Sequence, residues 1–573
     1  MANRAVVLIR KVFPIAEWLP YYSIHTLRGD LLAGLTVGVM LVPQSMAYAL
    51  LAGMPPIYGL YASVVPLIIY PLLGTSRHLA VGTVAIDMLI VYAGLSVLAE
   101  PGSDTYIRLA LLLTAMVGIF QILMGLARLG FLVNFLSRPV IAGFTSAAAI
   151  IIGLSQLKNL LGIDIPSSQQ VHILLWNVLK AIDQIHWLTF ALGLSGIVLL
   201  KLLKKWKPLF PAPLFVVALF ALIVWKFELY KFGVEIVGPI PSGFPSFSPP
   251  PFELEYAQKL LPTAIALALV QFMNVISLGK TFALKFGYSI KANRELIAIG
   301  SANFAGSFFK SLPVSGSFSR TAVNVQAGAK TPLSNLFAAL VIVLTLLFLT
   351  PWFYYLPIPI FASIIMVAAF SMVDVKELKY LFKAKRIDGA IALITFSATL
   401  FIGIQEGILL GIALSILAVL YRISRPHVAI LGHVPGTRQY RDIKRFPEAR
   451  RIPDTLILRI DASFGFANAE FLKDFILTTV RESSQPIKYV IIDASSVNDL
   501  DLTALQALES IAQFLKEKGI ELYITGAKGP VRDVFERTGF FDRLGRDHFF
   551  LSPHRAVQFI QERKALPEQE TSV

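Results

Sequence analysis

A short polar stretch, Ser311 to Arg320, contains the residues of this chain whose types and spacing could bind a charged ligand. It reads Ser-Leu-Pro-Val-Ser-Gly-Ser-Phe-Ser-Arg and lies between two long apolar runs, Leu296 to Phe309 and Pro332 to Phe348. A helix that starts here would present free backbone N–H groups, hydroxyls and a guanidinium, which together favour an anion. In a bilayer, non-helical backbone survives only where protein or water satisfies it, so the break predicts a site. The alternative is an ordinary loop between hydrophobic segments.

A second interrupted segment lies in the first half of the chain, from Arg77 to Ala85. It reads Arg-His-Leu-Ala-Val-Gly-Thr-Val-Ala and again places glycine and a hydroxyl before an apolar helix. Paired broken segments in the two halves of a transporter indicate a midplane site built from facing half-helix N-termini. We therefore expect the two segments to form one binding site.

The composition indicates a membrane protein with a soluble part. The 573 residues are 55% hydrophobic and 15% charged, with mean hydropathy +0.68, whereas soluble proteins carry about 25% charge. Charge concentrates after Tyr421. The net charge of +15 comes from basic residues at the ends of apolar runs, which favours membrane topology signals over a nucleic-acid partner.

Several chemistries are excluded by residue type. The chain has no cysteine, and its eight histidines form no HExxH pattern, so we expect neither a metal site nor a cofactor. We find no P-loop and no convincing pair of nucleophile and base, which disfavours an enzyme. Residues 1–30 hold basic residues without a clear cleavage site, and we interpret them as a cytoplasmic N-terminal segment.

Fourteen apolar stretches approach spanning length. The stretches 295–309 and 318–329 are too short to cross alone, because a full span needs about 20 residues. Successive loops are alternately rich and poor in lysine and arginine. If both termini are cytoplasmic, the rich loops are the cytoplasmic ones, as the positive-inside rule requires. The stretches are 31–51, 57–74, 79–98, 107–127, 131–161, 187–203, 212–227, 259–279, 295–309, 318–329, 332–350, 357–373, 387–403 and 406–422.

The sequence pattern after about residue 430 predicts a small α/β domain. Strand patterns at 455–461, 489–493 and 521–525 alternate with helical patterns at 469–481, 502–518 and 531–538. The predicted organisation is a lead-in at 1–30, a transmembrane anion transport domain at 31–425, a cytoplasmic domain at 435–565 and a tail at 566–573.

Several motifs resemble the sulfate permease (SulP) family of anion transporters, and the end of the chain resembles a STAS domain. The matching residues are Val42 to Ala49, Pro55 to Tyr61, Asn293 to Leu296, Gly316 to Asn324, Ala327 to Thr331 and, in the STAS domain, Asn498 to Thr503. The resemblance implies two inverted seven-helix repeats arranged as core and gate domains, with broken third and tenth helices. It also implies elevator-like movement, a homodimer and, for a bacterial relative, the inner membrane.

The resemblance assigns the tenth-helix part of the site to Ser317, Phe318, Ser319 and Arg320. Family members bind the anion there through backbone amides and a serine, and an arginine supplies positive potential. An arginine inside a membrane costs a few kcal/mol unless it is paired or hydrated, and such charges are usually functional. The alternative is a structural salt bridge that only holds helices together.

At the third-helix start, the resemblance assigns the amides of Gly82, Thr83 and Val84. Many relatives have proline where this chain has Thr83, and plant sulfate transporters often carry the same Gly-Thr-Val-Ala, which favours an oxyanion such as sulfate. Gln44 and Tyr48 are further candidates for lining the site, as is Phe318. Ordinary core packing is their alternative.

The chain departs from the family at the residue that relatives use to couple anion transport to a proton or to balance the charge of the anion. Many relatives have a glutamate six residues before a basic residue in the eighth span, and counting back from Lys280 gives Asn274. A neutral amide cannot take up a proton at physiological pH, so coupling through this position is in doubt. We expect Asp87, one turn beyond Thr83, to replace it as the titrating group or as a counter-charge to Arg320. A fixed ion pair of Asp87 with Arg320 or Lys280 is the alternative.

In the STAS domain, Thr503 occupies the position of a phosphorylated serine in regulatory anti-sigma antagonists. A helix cap is the alternative role for this hydroxyl. We expect Asp493, Asp499 and Asp501 to be loop and capping residues, and a cytosolic partner could bind this domain.

The sequence thus predicts a secondary active transporter of an inorganic oxyanion, with sulfate favoured, coupled to a proton or another cation. A bicarbonate or dicarboxylate transporter or exchanger, an uncoupled anion channel, and a receptor that signals through the STAS domain remain open. Helix N-termini and hydroxyls recognise charge and oxygen geometry that these anions share.

Overall fold

The computed structural model describes residues 14–131, 137–166, 170–207, 210–483 and 485–565. The predicted tail at 566–573 and the first thirteen residues of the predicted lead-in lie outside these ranges. The chain divides into two units, residues 1–415 and 416–573, and each is described by itself.

Fourteen apolar helical segments account for the fourteen stretches expected from the sequence, counted over the described residues. They are α1 Ile24–Leu51, α2 Val65–Leu73, α3 Ala85–Leu95, α4 Asp104–Leu126, α5 Arg138–Ser155, α6 Trp187–Trp206, α7 Ala212–Lys226, α8 Leu254–Phe286, α9 Ala292–Ser307, α10 Phe318–Gln326, α11 Ser334–Leu344, α12 Ile358–Phe370, α13 Arg386–Phe401 and α14 Ile404–Ser424. Shorter helical segments connect or extend them: Ile15–Trp18, Leu19–Tyr21, Ile57–Tyr61, Leu157–Leu161, Val171–Lys180, Ile182–Gln184, Leu229–Phe232, Thr345–Leu349, Thr350–Phe353 and Val375–Ala384.

Length separates the helices that can cross a bilayer from those that cannot. In the described part of the chain, eight helical stretches are long and apolar enough to span a membrane. The helices α3 and α10 have 11 and 9 residues, and a helix of that size rises only about 14–17 Å. The hydrocarbon core is about 30 Å thick, so both must end inside it.

The helices pack as two bundles within the first unit. The first bundle consists of α1–α4 and α8–α11, where α4 packs on α9 and α1 packs on α11. The second bundle contains α5–α7, α12 and α13, with α5 against α13 and α6 against α12. Small residues allow the closest approach: a Cβ at Gly118 of α4 would lie 2.5 Å from the Phe304 amide nitrogen of α9. Such contacts are typical of membrane helix pairs, which have no hydrophobic driving force between them.

Extended backbone precedes both short helices and joins them. Strand β1, Val81–Gly82, pairs antiparallel with β2, Ser315–Gly316, in the register Val81 to Gly316 and Gly82 to Ser315. The two broken segments, more than 230 residues apart in the chain, are therefore neighbours.

The second unit contains a six-stranded sheet in the order β4-β3-β5-β6-β7-β8. Strands β5 to β8 run parallel, and β3 is antiparallel to both of its neighbours. The strands are β3 Val428–His433, β4 Tyr440–Asp442, β5 Thr455–Ile460, β6 Tyr489–Asp493, β7 Glu521–Thr525 and β8 Phe549–Phe550, and the helices are α15 Ala469–Arg481, α16 Leu502–Glu517, α17 Gly529–Arg537, α18 Phe540–Leu544 and α19 Pro553–Ala565, with a 3₁₀ turn at Arg546–His548.

Both faces of this sheet are covered. One face packs against α15 and α16 through residues such as Leu458 and Ile476, and the other packs against α19 through Tyr523 and Ile560. The predicted α/β domain is confirmed, and β3, β4 and β8 are additions to the three predicted strands. A sheet covered on both faces has its own hydrophobic core.

Candidate functional site

The starts of α3 and α10 both carry backbone N–H groups that have no hydrogen-bond acceptor among the described residues. The first intrahelical bonds run from Met88 N to Val84 O (3.1 Å) and from Thr321 N to Ser317 O (2.9 Å). Within the described residues, the amides of 85–87 and 318–320 have no acceptor. The first three N–H groups of each helix thus stay free at the positive end of its dipole.

These free amides lie later in α3 than the sequence indicated. The expected donors were the amides of Gly82, Thr83 and Val84, but Val84 is the N-cap residue and α3 begins at Ala85. The β1–β2 pair uses Gly82, which has φ +151°. The physical reason for the shift is this strand pair, because it keeps the chain extended for three more residues. In α10 the helix begins at Phe318, one residue after Ser317.

Side chains of α10 and α11 hold the extended segment before α3 in place. Ala80 donates to Thr321 Oγ1 (3.1 Å) and accepts from Ser317 N (3.1 Å). Asn335 accepts from Val81 N (3.0 Å), and its amide donates to Leu79 O (2.9 Å). The sequence motif Gly316 to Asn324 included Thr321 without assigning it a role, and Asn335 was missed, although an amide side chain within the apolar helix α11 was an available signal.

Arg320 is completely buried and spans the gap between the two broken segments. Its Nη2 donates to the Thr83 carbonyl (2.8 Å), and its Nη1 lies 3.4 Å from Gln44 Oε1. No carboxylate of a described residue lies within 4.0 Å of the guanidinium. The structural salt bridge proposed as the alternative role of Arg320 is therefore wrong, since its partners are neutral oxygens.

A cavity of about 630 Å³ opens at the two helix starts and separates the bundles. Seven of the predicted residues line it: Gln44, Tyr48, Val84, Asn274, Ser317, Phe318 and Ser319. Two hydroxyls at its wall, Ser317 Oγ and Ser319 Oγ, lie 3.3 Å apart. The predicted residues Gly82, Thr83, Asp87 and Arg320 lie behind this wall and do not line the cavity. These residues can influence a bound ligand only indirectly, either by positioning the backbone at the helix starts or, for Asp87 and Arg320, through their charge.

Asp87 lies in the first turn of α3 and is completely buried. Its Oδ2 accepts from Ser315 Oγ (2.6 Å) and Gln271 Nε2 (3.1 Å), whereas its Oδ1 has no partner among the described residues. A direct ion pair with Arg320 or Lys280 is absent from the described part of the chain, so that alternative is wrong. Because Thr83 precedes the helix, it does not share a helical face with Asp87.

A buried amide network supports Asp87 from behind. Gln271 of α8 accepts from Gln121 Nε2 of α4 (3.0 Å) and from Asn303 Nδ2 of α9 (3.0 Å). Asn303 Oδ1 in turn accepts from Val314 N (2.7 Å), just before β2. Amide groups hydrogen-bond a carboxylate or a carboxylic acid without changing their own charge. Three helices of the first bundle thus support one carboxyl group on α3.

Other buried carboxylates of this unit are fully satisfied. Asp30 accepts from Lys330 N (2.7 Å), Thr331 N (2.9 Å) and the Tyr22 hydroxyl (3.1 Å). Glu295 accepts from the Tyr70 hydroxyl (2.8 Å) and from the amide of Ser76 (2.9 Å). An unsatisfied buried oxygen is exceptional in a native protein, and Asp87 therefore differs in kind from the structural carboxylates.

Two more buried polar atoms at this site have no hydrogen-bond partner in the described residues: Thr83 Oγ1 and Arg320 Nε. Both atoms belong to the residues whose arginine–carbonyl contact joins the broken segments, but neither takes part in that contact. No group of three or more metal-ligating side chains occurs in the described residues. The donors at the cavity wall are free backbone amides and the hydroxyls of Ser317 and Ser319.

Thr503 is exposed and is the second residue of α16, not its cap. Asp501 is the N-cap: its Oδ1 accepts from Ala504 N (2.9 Å) and its Oδ2 accepts from Phe466 N (2.7 Å). The cap role considered for Thr503 is therefore wrong. Asp499 accepts from the amide of Leu500, as a loop residue does, whereas Asp493 is the last residue of β6 and accepts from the amide of Ser495 in the loop that follows.

Comparison with known proteins places this geometry in a family. The sulfate permease family model matches residues 27–395, and a STAS domain model matches residues 446–556. The chain is 39% identical over 573 residues to "Sulfate transporter 4.1, chloroplastic" of Arabidopsis thaliana, covering 97% of this chain and 83% of that protein. It is 35% identical over 577 residues to "High affinity sulfate transporter 2" of Stylosanthes hamata, covering 97% and 87%.

Among solved structures, the chain is similar to murine Solute Carrier 26 family member A9, an anion transporter in the inward-facing state. The TM-score is 0.89 at 27% identity, covering 97% of this chain and 95% of that one. The likeness extends over the apolar helices and the STAS domain. The chain belongs to the sulfate permease family, as a multi-pass membrane transporter, not an enzyme, with a C-terminal STAS domain.

Proposed function

We propose that the protein is a secondary active transporter of an inorganic oxyanion, and that this anion is sulfate. One observation carries the proposal: two half-helices aim free amides at one end of a cavity between two bundles. The relatives named as sulfate transporters support the choice of anion.

The chemistry of the helix starts suits a tetrahedral oxyanion. Each helix N-terminus carries roughly half a positive elementary charge. The free amides of residues 85, 86, 318 and 319, which line the cavity, can each donate to an oxygen. The hydroxyls of Ser317 and Ser319 add donors at the wall. Arg320 contributes positive potential from behind while it fixes the Thr83 carbonyl away from the anion.

We further propose that uptake is coupled to a proton through Asp87. This carboxyl group has one unsatisfied oxygen and lies behind the start of α3. The groups that face it are the neutral side chains of Gln271 and Ser315, and the cation that acts on it electrostatically is Arg320. Protonation would remove a negative charge behind the anion site, so a proton and an anion would favour each other's binding. Transport would then follow from an elevator-like movement of the first bundle against the second.

Reconstitution in liposomes tests the transport proposal directly. Labelled sulfate uptake is measured with and without an inward proton gradient, in competition with bicarbonate, fumarate and chloride. We expect saturable uptake that the gradient stimulates and that unlabelled sulfate suppresses most strongly. Transport of another anion in place of sulfate would retain the fold and overturn the substrate.

An uncoupled anion channel is the second candidate, and one observation favours it. Asn274, the position at which the family resemblance implies a glutamate, lines the cavity, and its amide cannot take up a proton. In a channel, sulfate flux would rise linearly with concentration and a proton gradient would not drive accumulation. Bicarbonate or dicarboxylate transport or exchange is distinguished by the same competition experiment.

The remaining assignments are proposals about the whole chain. We assign the transport domain to residues 31–425 and the STAS domain to 435–565, with both termini cytoplasmic, in the inner membrane of a bacterium and as a homodimer. Thr503, exposed at the start of α16, is the phosphorylation candidate, and a cytosolic partner would bind nearby. Mass spectrometry of the protein from its native membrane would test the modification.

A further inference from the structure

The cavity of about 630 Å³ at the two helix starts, called the transport cavity below, carries positive but no negative side-chain charge among its described lining residues. Among the described residues that line it, Lys204 is the one charged side chain, and no carboxylate lines it. Lys204 lies near the end of α6, in the second bundle. The free amides belong to α3 and α10, in the first bundle. The cavity therefore has backbone donors on one wall and an ammonium group on the other.

Two other lysines lie close to Lys204 on α6, but they do not line the transport cavity. Lys201, Lys204 and Lys205 share one face of α6 and line an adjoining groove of about 670 Å³ between α6 and α12. Of the three, Lys204 alone also lines the transport cavity. It has no carboxylate within 4.0 Å in the described part of the chain, so its charge is not neutralised by an ion pair.

Electrostatics gives such a charge a defined effect. The interaction between an ammonium group and an anion in a watery space is proportional to the anion's charge. A divalent anion therefore gains about twice as much free energy as a monovalent one from the same lysine. Lysine provides a mobile point charge on a flexible stem, which suits a transient contact with an anion that arrives or leaves.

We propose that Lys204 is a second anion contact in the transport cavity, one that favours divalent over monovalent anions in the arrangement of the bundles described here. The inference rests on the proposed function and deepens it. Because Lys204 and the free amides belong to different bundles, movement of one bundle against the other would separate them. The lysine then assists binding from the side to which this cavity opens and not from the other side.

Thermal stabilisation of the full chain in detergent tests binding without requiring transport. Sulfate and chloride are each titrated against the wild-type protein and against Lys204→Gln, Lys204→Arg and Lys205→Gln. A ligand that binds only the folded protein raises its Tm by mass action. We expect Lys204→Gln to weaken sulfate binding roughly tenfold and chloride binding about threefold. Lys204→Arg should restore most of the sulfate affinity, and Lys205→Gln should match the wild type.

The outcomes separate the inference from the proposed function. Wild-type affinities for both anions in Lys204→Gln would overturn the inference, as would an equal loss in Lys205→Gln. If sulfate stabilises the wild type but liposomes accumulate none, the proposed transport is wrong while the comparison of variants still decides the role of Lys204. If neither anion stabilises the wild type, the Lys204 contact is wrong.

Discussion

Arg320 contributes to this site through its positive charge and also through its hydrogen bond to the Thr83 carbonyl. A buried guanidinium that donates to a carbonyl and an amide oxygen keeps its full positive charge, because neither partner is negative. Its contact with Thr83 crosses from α10 to the segment before α3, so one side chain fixes the relative position of two helix starts. The positive potential and the geometry of the free amides therefore depend on the same residue.

Replacing Arg320 should strongly reduce transport. Arg320→Ala removes the cation and the contact with Thr83 together, and we expect sulfate uptake to fall more than tenfold. Arg320→Lys should recover little, since a lysine cannot reproduce the planar two-sided contact. Initial rates in liposomes measure this, with Arg108→Ala as the control because Arg108 is exposed and pairs with Glu253. Uptake by Arg320→Ala above half the wild-type rate would contradict the role.

Asp87→Asn tests the coupling group. Asparagine can keep the contacts with Gln271 and Ser315, but it cannot take up a proton. We expect uptake to persist, to lose its stimulation by a proton gradient and to become independent of pH between about 5 and 8. The control is Asp183→Asn, at an exposed position. An unchanged pH dependence in Asp87→Asn would mean that another group carries the proton.

The sequence indicated candidate residue types for the site but not the contacts that these residues make. Ser317, Arg320 and Asp87 were recognisable because polar groups in an apolar segment need a reason. The roles of Gln271 and Asn303 could not be predicted, since their partners lie on other helices far away in the chain. Such contacts depend on the packing of the bundle, which no local pattern specifies.

At the scale of elements, the β1–β2 pair determines where the two short helices start. The lengths of the apolar stretches predicted the helices themselves, because a hydrophobic run of a given length has few other stable forms in a bilayer. The start of α3 was predicted too early. The reason is that a strand pair between residues 81–82 and 315–316 leaves no signature in either segment alone.

Gly82→Ala should disturb this pair and the arginine together. Gly82 has φ +151°, and an added Cβ would lie 3.1 Å from Arg320 Nη2 and 3.1 Å from Leu41 Cδ1. We expect a loss of about 1–3 kcal/mol in stability and a several-fold lower uptake per folded molecule. Gly102→Ala is a matched control, since its φ is +79° but nothing lies within 4 Å of the added Cβ. Equal uptake by the two folded variants would show that the contact with Arg320 is not needed.

At the scale of the molecule, the two units have different physical characters. The first unit depends on close helix contacts such as the one at Gly118 and on buried polar networks, whereas the second has its own sheet and apolar core. The concentration of charged residues after Tyr421 accords with this difference, because charged residues are rare in a bilayer and common in a soluble domain. A domain with its own hydrophobic core can in principle fold without the membrane part.

Removal of the STAS domain should therefore leave transport in place. A chain that ends at Arg425 keeps α1–α14 and with them the free amides, Arg320, Asp87 and Lys204. We expect saturable, proton-stimulated sulfate uptake with a KM within about twofold of the full chain, because every residue assigned to the anion lies before the cut. The control is a full chain taken through the same purification, with size-exclusion profiles to show that both are folded. A truncated protein that sulfate still stabilises in detergent but that transports none would show that the STAS domain is required for the movement of the bundles and not for binding.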